Sequence, residues 1–156
     1  MDLDQQLQVL IDNAPQDGIT PHAIAAIAPA LKAIASQLQH QDYYIVQTLN
    51  QEWVLLTLSR TNQPQVTKTV VYAFPSLQDI SLSPSFQAEP NRIAVPFPVT
   101  HLLFQLSSIT SIDSVIFREI PDDSSSDVEL KSSDIQSLLQ HHLHHYFSPN
   151  IPSDLA

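Results

Sequence analysis

The chain contains no cysteine among its 156 residues and a single glycine, Gly18. Without cysteine it cannot form a disulfide, a thiolate metal site, an iron–sulfur cluster or a cysteine nucleophile. Phosphate-cradling loops, dinucleotide fingerprints and nucleophile elbows need glycine for a tight turn or a close backbone approach, and one glycine cannot supply them. We therefore predict a protein that is not an enzyme and that holds no cofactor.

Positive charge is also scarce. The formal net charge is −10, and the six cations are spread along the chain at Lys32, Arg60, Lys68, Arg92, Arg118 and Lys131. Nucleic-acid-binding proteins gather Lys and Arg on one face to neutralise phosphates. We therefore predict that the chain binds neither nucleic acid nor an anionic membrane surface.

Long apolar runs and targeting signals are missing as well. The longest apolar stretch, residues 23–35, contains Pro29 and Lys32 and is shorter than the ~20 residues that cross a bilayer. Asp2 and Asp4 stand where an export or transit signal would carry positive charge. Together with the absence of cysteine, this predicts a soluble protein of the cytoplasm.

The apolar residues that are present, 43% of the chain, suffice for the core of one domain. Leu3, Leu7 and Leu10 have helical spacing, which predicts a first amphipathic helix. A second apolar stripe opens with Thr-Pro, whose threonine would cap the helix, and keeps its phase through Pro29. We predict a helical hairpin over residues 2–39.

From Asp42 onward the apolar period changes to two, which predicts strands. The runs "YYIVQTL", "EWVLLTLSR" and "TKTVVYAF" would form a three-strand antiparallel meander. Because proline cannot donate to a ladder, "RIAVPFP" would be a short edge strand. We predict an α+β fold in which the hairpin packs on a mostly antiparallel sheet, with a sheet core over residues 42–121 and a domain over residues 1–121.

The remaining segments are assigned from composition and pattern. Residues 122–133 are acidic and serine-rich, which is typical of a mobile linker. The apolar spacing beyond them predicts a C-terminal helix over residues 134–147, which ends before a proline. Residues 148–156 would form a tail.

The middle of the chain resembles a known family. The strand and short helix "TVVYAFPSLQDI", the helix "VTHLLFQL" and the strand "DSVIFREI" are similar in order to elements of the SseB-type N-terminal domain, over residues 42–121. The glutamine-rich, cysteine-free composition also resembles that of small cyanobacterial proteins. Both resemblances imply an adaptor rather than an enzyme, and neither implies a catalytic residue.

The segment "QHHLHHYF" places four histidines close together near the C-terminus. His141 and His145 are one helical turn apart, so their imidazoles could bind one zinc, nickel or copper ion. A further ligand would have to come from the acidic segment, where the candidates are Asp122, Asp123, Asp127 and Glu129. The alternative is an ordinary exposed helix face that becomes cationic at mildly acidic pH.

We predict that the chain acts by binding another protein, or a second copy of itself. The surfaces would be the sheet edge near the proline-rich segment and the apolar faces of the first and last helices, with Leu3, Leu7, Leu10, Leu139, Leu143, Tyr146 and Phe147. Covering the domain's own sheet is the commoner use of such faces. The alternatives are metal binding at the histidines and small-ligand binding between sheet and helices, with Tyr43, Trp53 and Tyr72 as wall residues.

Overall fold

The computed structural model describes residues 2–60, 62–82, 91–120 and 123–147. Its helices are α1 (Leu3–Asp12), α2 (Thr20–Ala35), α3 (Leu77–Leu82), α4 (Val99–Leu106) and α5 (Ser132–Phe147), with a short 3₁₀ turn at Ser124–Ser126. Its strands are β1 (Asp42–Thr48), β2 (Leu56–Arg60), β3 (Gln63–Phe74), β4 (Arg92–Pro98), β5 (Ser114–Phe117) and β6 (Val128–Lys131). No helix within these ranges is both long enough and apolar enough to cross a membrane.

One six-stranded sheet contains all of these strands. β4, β1, β3, β5 and β6 lie side by side in that order, and β2 also pairs with β3. β3 and β5 run parallel, while the other pairings of these strands are antiparallel. The predicted α+β fold with a mostly antiparallel sheet is confirmed.

β2 and β3 form a hairpin in the predicted order, but β1 joins it differently from a simple three-strand meander. β2 has five residues and pairs with the first part of the twelve-residue β3. Because β2 is too short to accompany all of β3, β1 pairs with the end of β3 and places Tyr44 opposite Phe74. β1 meets the segment that leads into β2 through a bridge between Gln47 and Trp53.

The prediction of a mobile linker over residues 122–133 is corrected by the sheet. The second half of this segment forms β6, which pairs with β5 in the register Ser114 to Lys131. Val128 and Leu130 pack against the core and alternate with charged residues. This two-residue period is typical of a half-buried strand, but the surrounding serines and acids dominate the composition and hide it.

The C-terminal helix is part of the same core as the N-terminal hairpin. α5 begins at Ser132, directly after β6, and packs against α2 and α4. Its Ile135 and Leu139 are buried. The helix is therefore docked on the domain rather than tethered to it. The predicted tail, residues 148–156, lies outside the described residues.

α2 continues through Pro29, as the constant phase of its apolar stripe predicts. The start of the helix differs from the prediction, because Thr20 lies inside it. The Asp17 side chain accepts hydrogen bonds from the backbone N–H groups of Thr20 and Ile19 at 2.7 and 2.9 Å. These bonds, that of Thr20 first, lower the pKa of Asp17 to about 2. An aspartate before the predicted cap therefore supplies the acceptor.

The sheet has two unlike faces, and the residues of β3 alternate between them. Val71 and Ala73 belong to the main core with residues of α1, α2, α4 and α5, so this side is the helical face. Tyr72 and Phe74 point to the opposite side, the open face, where a smaller cluster includes Ile80 of α3. The open face is therefore covered near the end of β3, and among the described residues no helix lies above the start of β3.

Gln6 fixes α1 to the sheet, although it is a polar residue with no exposed surface. Its Nε2 donates to the Gln41 carbonyl at 2.9 Å. Its Oε1 accepts from the backbone N–H and the hydroxyl of Thr100 at 3.1 and 2.8 Å. Because a buried amide is tolerated when it is hydrogen-bonded, this side chain holds α1, the start of β1 and α4 in one arrangement.

A second buried polar cluster lies just after β5. Glu119 Oε1 accepts a 2.5 Å hydrogen bond from the Tyr43 hydroxyl, and Glu119 Oε2 accepts a 2.6 Å bond from the Gln39 N–H. The His40 ring contacts the Glu119 carbonyl at 2.9 Å. Burial of the ring, followed by the bond to Glu119, raises the pKa of Tyr43. The carboxylate thus joins the segment after α2 to β1 and β5.

Replacing Gln6 by Leu should destabilise the fold, because Thr100 and the Gln41 carbonyl would be buried without partners. We expect the free energy of unfolding to fall by about 2–4 kcal/mol, measured by urea denaturation. The matched control is Gln8→Leu on the exposed side of α1, where Gln8 bonds to Asp12, and it should cost less than about 0.5 kcal/mol. Equal losses for the two variants would contradict the anchoring role.

Tyr43 should make the fold sensitive to alkaline pH. Because its pKa is raised in the folded state, the unfolded chain loses the phenol proton first, and the free energy of unfolding falls as the pH rises above the ordinary value of 10.0. Tyr43→Phe should flatten this decline between about pH 9 and about pH 11, whereas Tyr44→Phe on the open face should preserve it. Denaturant titrations at several pH values give the free energy of unfolding of the native chain and of both variants. The same dependence on pH in all three proteins would contradict the prediction.

Candidate functional site

The predicted metal pair lies on α5. His141 is exposed, and its ring stands edge-on to that of His142 with the centroids 6.0 Å apart. The side chain of His145 lies outside what the structure describes. Within the described part of the chain, no group of three or more histidine or carboxylate side chains is arranged to hold a metal ion. Joint metal binding by His141 and His145 stays a prediction.

The acids considered as further metal ligands have other partners. Asp127 pairs with an arginine at 2.7 Å and Glu129 with a lysine at 2.6 Å. Asp123 accepts a hydrogen bond at the start of the 3₁₀ turn, and Asp122 lies outside the described residues. All of them precede α5, and His141 is about 14 Å further along its axis. The structure therefore does not bring Asp123, Asp127 or Glu129 to His141.

Arg118 organises a charged cluster at the end of the open face. Its Nε lies 2.7 Å from Asp127, its Nη1 lies 3.7 Å from Asp79, and its guanidinium stands 5.9 Å from the centre of the Phe74 ring. Burial raises the pKa of Asp127, against the lowering effect of Arg118. Asp79 belongs to α3 and Asp127 directly precedes β6, so the cluster links α3 to the start of the outermost strand β6.

The leucines predicted to bind a partner pack within the domain itself. Two of them are buried and three lie at the margin of the main core: Leu7 and Leu139, then Leu3, Leu10 and Leu143. The side chains of Tyr146 and Phe147 lie outside the described residues. In the described helices these apolar faces pack on the domain's own core, although Leu139 and Leu143 also line a cavity of about 290 Å³ between α2, α4 and α5.

The aromatic residues predicted to wall a ligand cavity do not share one. Tyr43 is buried in the helical face and donates to Glu119. Trp53 packs edge-on against Phe97 with the centroids 5.8 Å apart. Tyr72 lies on the open face, on the other side of the sheet from Tyr43. A small-ligand site built from these three side chains is therefore not supported by their placement.

The outer edge of the edge strand β4 is interrupted by prolines. The Val99 N–H donates to the Gln41 carbonyl on the β1 side. Because backbone groups alternate along a strand, Phe97 also faces β1, and Pro96 and Pro98 face the outer edge. Two positions that would offer an N–H at this edge therefore have none, which is how natural sheets protect an edge.

β3 has an edge without this protection, because its parallel neighbour is much shorter. β3 has twelve residues and β5 has four, which pair with residues 70–73 of β3. Just before this pairing, the Thr69 N–H donates to Asp113 Oδ2 and the Thr69 carbonyl accepts from the Asp113 N–H, both at 2.8 Å. Asp113 thus ends the pairing of β3 with β5.

The backbone beyond Thr69 continues the same edge. Thr69 directs both of its backbone groups away from β2, so Thr67, two residues away and still in regular register opposite Ser59, directs its groups the same way. No described strand pairs with this part of β3 on that side. Thr67 therefore presents a backbone donor and acceptor that no described strand uses, at a position where β5 would continue if it were longer.

A cavity of about 580 Å³ lies beside this edge. The hairpin of β2 and β3 forms one wall, and the start of β5, the end of β6 and the start of α5 form the other. We call it the hairpin notch, and its lining includes Leu58, Val66, Thr67, Lys68, Glu129 and Lys131. Val66 is 45% exposed, so the notch offers apolar surface as well as backbone groups.

An ion pair spans the hairpin notch. Lys68 Nζ of β3 lies 2.6 Å from Glu129 Oε2 of β6, and the two side chains are 42% and 35% exposed. The bond from Lys68, followed by a bond from Ser114, lowers the pKa of Glu129. Lys131 lies on the same wall and makes no ion pair with a described carboxylate. The notch thus contains two lysines and two carboxylates, of which Glu129 pairs with Lys68 and Asp113 accepts from the Thr69 N–H.

Sequence reasoning missed this site because it depends on a pairing between distant segments. β3 begins at Gln63, before the predicted strand "TKTVVYAF", since its first residues are mostly polar and carry one apolar side chain, Val66. The short length of β5 is visible in "SVIF", but nothing in the sequence says that it pairs with β3. A long strand paired with a short one is the signal from which an unpaired part of β3 could have been predicted.

Comparison with known proteins does not assign the chain to a family. No family model matches it, and a search of curated proteins finds no significant relative. The resemblance to the SseB-type N-terminal domain therefore stays a prediction. The hairpin notch is therefore identified as a candidate site from its geometry alone.

Asp113→Ala should loosen the β3 edge, because the Thr69 N–H loses its acceptor. We expect faster hydrogen exchange at the Thr69 amide and a loss of about 1 kcal/mol in the free energy of unfolding. Asp113→Asn keeps a side-chain oxygen and should lose less. Unchanged exchange at Thr69 in the alanine variant would show that Asp113 does not terminate the pairing.

Proposed function

We propose that the chain is a non-enzymatic cytoplasmic adaptor that binds an extended segment of another protein in the hairpin notch. The segment would add to β3 as a strand, in line with β5. The observation that carries this proposal is the edge of β3 at Thr67, which pairs with no described strand on that side and lies beside a cavity lined by apolar and charged side chains.

Strand addition fits the chemistry of this edge. An unpaired strand edge is a template for another chain, since each main-chain donor and acceptor can be satisfied by a partner in extended conformation. Alternate side chains of the bound segment would lie on the open face beside Val66, where burial of apolar surface favours binding. The main chain would supply affinity and the side chains selectivity.

A comparison with the edge at β4 supports the choice of site. β4 is the outermost strand beyond β1, and Pro96 and Pro98 remove two donors from its outer edge. In the hairpin notch, Thr67 offers both of its backbone groups. A partner strand along β4 would therefore meet two positions without a donor, whereas a partner in the notch can bond to both backbone groups of Thr67.

The size of the site indicates a transient complex. A cavity of about 580 Å³ holds a short segment rather than a folded domain. Interfaces that bury less than about 1,200 Å² are typical of weak and transient encounters. We expect a dissociation constant on the order of 1 µM to 1 mM for a peptide alone.

The test uses peptides selected against the full chain from a random library of extended segments about ten residues long. Thr67→Pro removes the N–H that points into the notch and should weaken the selected peptide at least about tenfold, as measured by titration calorimetry. Thr57→Pro is the matched control, because Thr57 is opposite Thr69 and directs its N–H to the other edge of the hairpin. It should change the affinity less than about twofold.

Thermal melting of both proline variants confirms that each is folded before binding is compared. Selection of no peptide, or equal losses in the two variants, would contradict strand addition at β3. A complex formed by a second copy of the chain would be seen as a concentration-dependent dimer by sedimentation, and it should be abolished by Thr67→Pro if the same edge is used.

A further inference from the structure

We propose that the segment bound in the hairpin notch is acidic, with one Asp or Glu whose carboxylate is held between Lys68 and Lys131. This inference rests on the proposed function and names the chemistry of the partner. In the unbound protein Glu129 occupies the position of that carboxylate and pairs with Lys68. The partner's carboxylate would replace Glu129 in this ion pair.

The placement of the two lysines supports this choice. Lys131 of β6 is paired with Ser114 of β5, and Ser114 is paired with Val70 of β3, so the three form a row across the open face. Lys68 precedes Val70 by two residues on the same face. Lys68 and Lys131 therefore border the corner of the sheet that β5 leaves empty, and both line the notch.

Glu129 shows that this corner accommodates a carboxylate. Its Oε2 lies 2.6 Å from Lys68 Nζ. The lysine bond is the largest cause that lowers the pKa of Glu129, and the charge of Lys131 contributes as well. Since the side chains of Lys68 and Glu129 are 42% and 35% exposed, their ion pair is partly hydrated and adds little to stability. A second carboxylate can therefore replace Glu129 at small cost.

The other acid of the notch is already engaged. Asp113 Oδ2 accepts from the Thr69 N–H at 2.8 Å, at the boundary where β5 begins. Lys131, in contrast, makes no ion pair with a described carboxylate. In a chain with a net charge of −10, the notch thus holds two of the six Lys and Arg residues.

The period of a strand gives the expected pattern in the partner. Residues of the added strand that lie on the open face are two apart, and they would be next to Val66 and Lys68. An apolar residue fits beside Val66, which is 45% exposed. An acid two positions away fits between Lys68 and Lys131. The recognised segment is therefore extended, with an apolar residue and an acid at positions i and i+2.

The test compares a selected peptide with its Asp→Asn or Glu→Gln analogue on four forms of the full chain. On the native chain the amide analogue should bind about fivefold more weakly. Lys131→Gln should remove most of that difference, whereas Glu129→Gln should strengthen the acidic peptide about twofold to threefold, because the competing carboxylate is gone. Lys32→Gln, on α2 and paired with Asp4, is the control and should change nothing.

The outcomes separate this inference from the proposed function. If Thr67→Pro weakens a selected peptide but the acid and its amide analogue bind equally, strand addition stands and the acidic partner is overturned. Equal binding of the acidic peptide by Lys131→Gln and native chains would also overturn it. Failure to select any peptide would overturn both.

Discussion

Two parallel neighbours in the sheet differ in length, since β3 has twelve residues and β5 has four. This difference decides which part of β3 has no described strand partner on the β5 side. On one side β2 and β1 share β3 between them, so that edge is used along most of its length. On the other side β5 and its terminal Asp113 reach only Thr69. The start of β3 therefore has no described strand partner on that side and lies beside the hairpin notch, where we propose that a partner strand binds.

The rest of the molecule keeps this edge in place rather than covering it. Four helices pack on the helical face, and the buried amide of Gln6 and the carboxylate of Glu119 fix them to the ends of the strands. On the open face Arg118 holds α3 near the end of β3. Polar groups that are buried and fully bonded orient elements strongly, and here they leave the beginning of the hairpin uncovered.

Charge is divided between the layers in a way that agrees with the proposed partner. Lys32 is the only Lys or Arg in a described helix, and the other five cations lie in strands or directly after one. α1 and its cap carry the acids Asp2, Asp4 and Asp12. The proposed acidic segment would be repelled by the acids of α1 and attracted by Lys68 and Lys131 in the strands, which would orient its approach.

Much of the fold could be predicted from local pattern, since the apolar period identifies α2 through Pro29 and the prolines identify β4 as an edge. β6 could not be predicted, because its four alternating residues are surrounded by serines and acids. The hairpin notch could not be predicted either, because it follows from the pairing of Val70 with Ser114, which are far apart in the sequence.

The most direct test of the account is nuclear magnetic resonance of the labelled full chain with a selected peptide. We predict intermolecular contacts from the peptide backbone to Thr67 of β3. Contacts confined to the helices, with the amide of Thr67 unchanged, would contradict it.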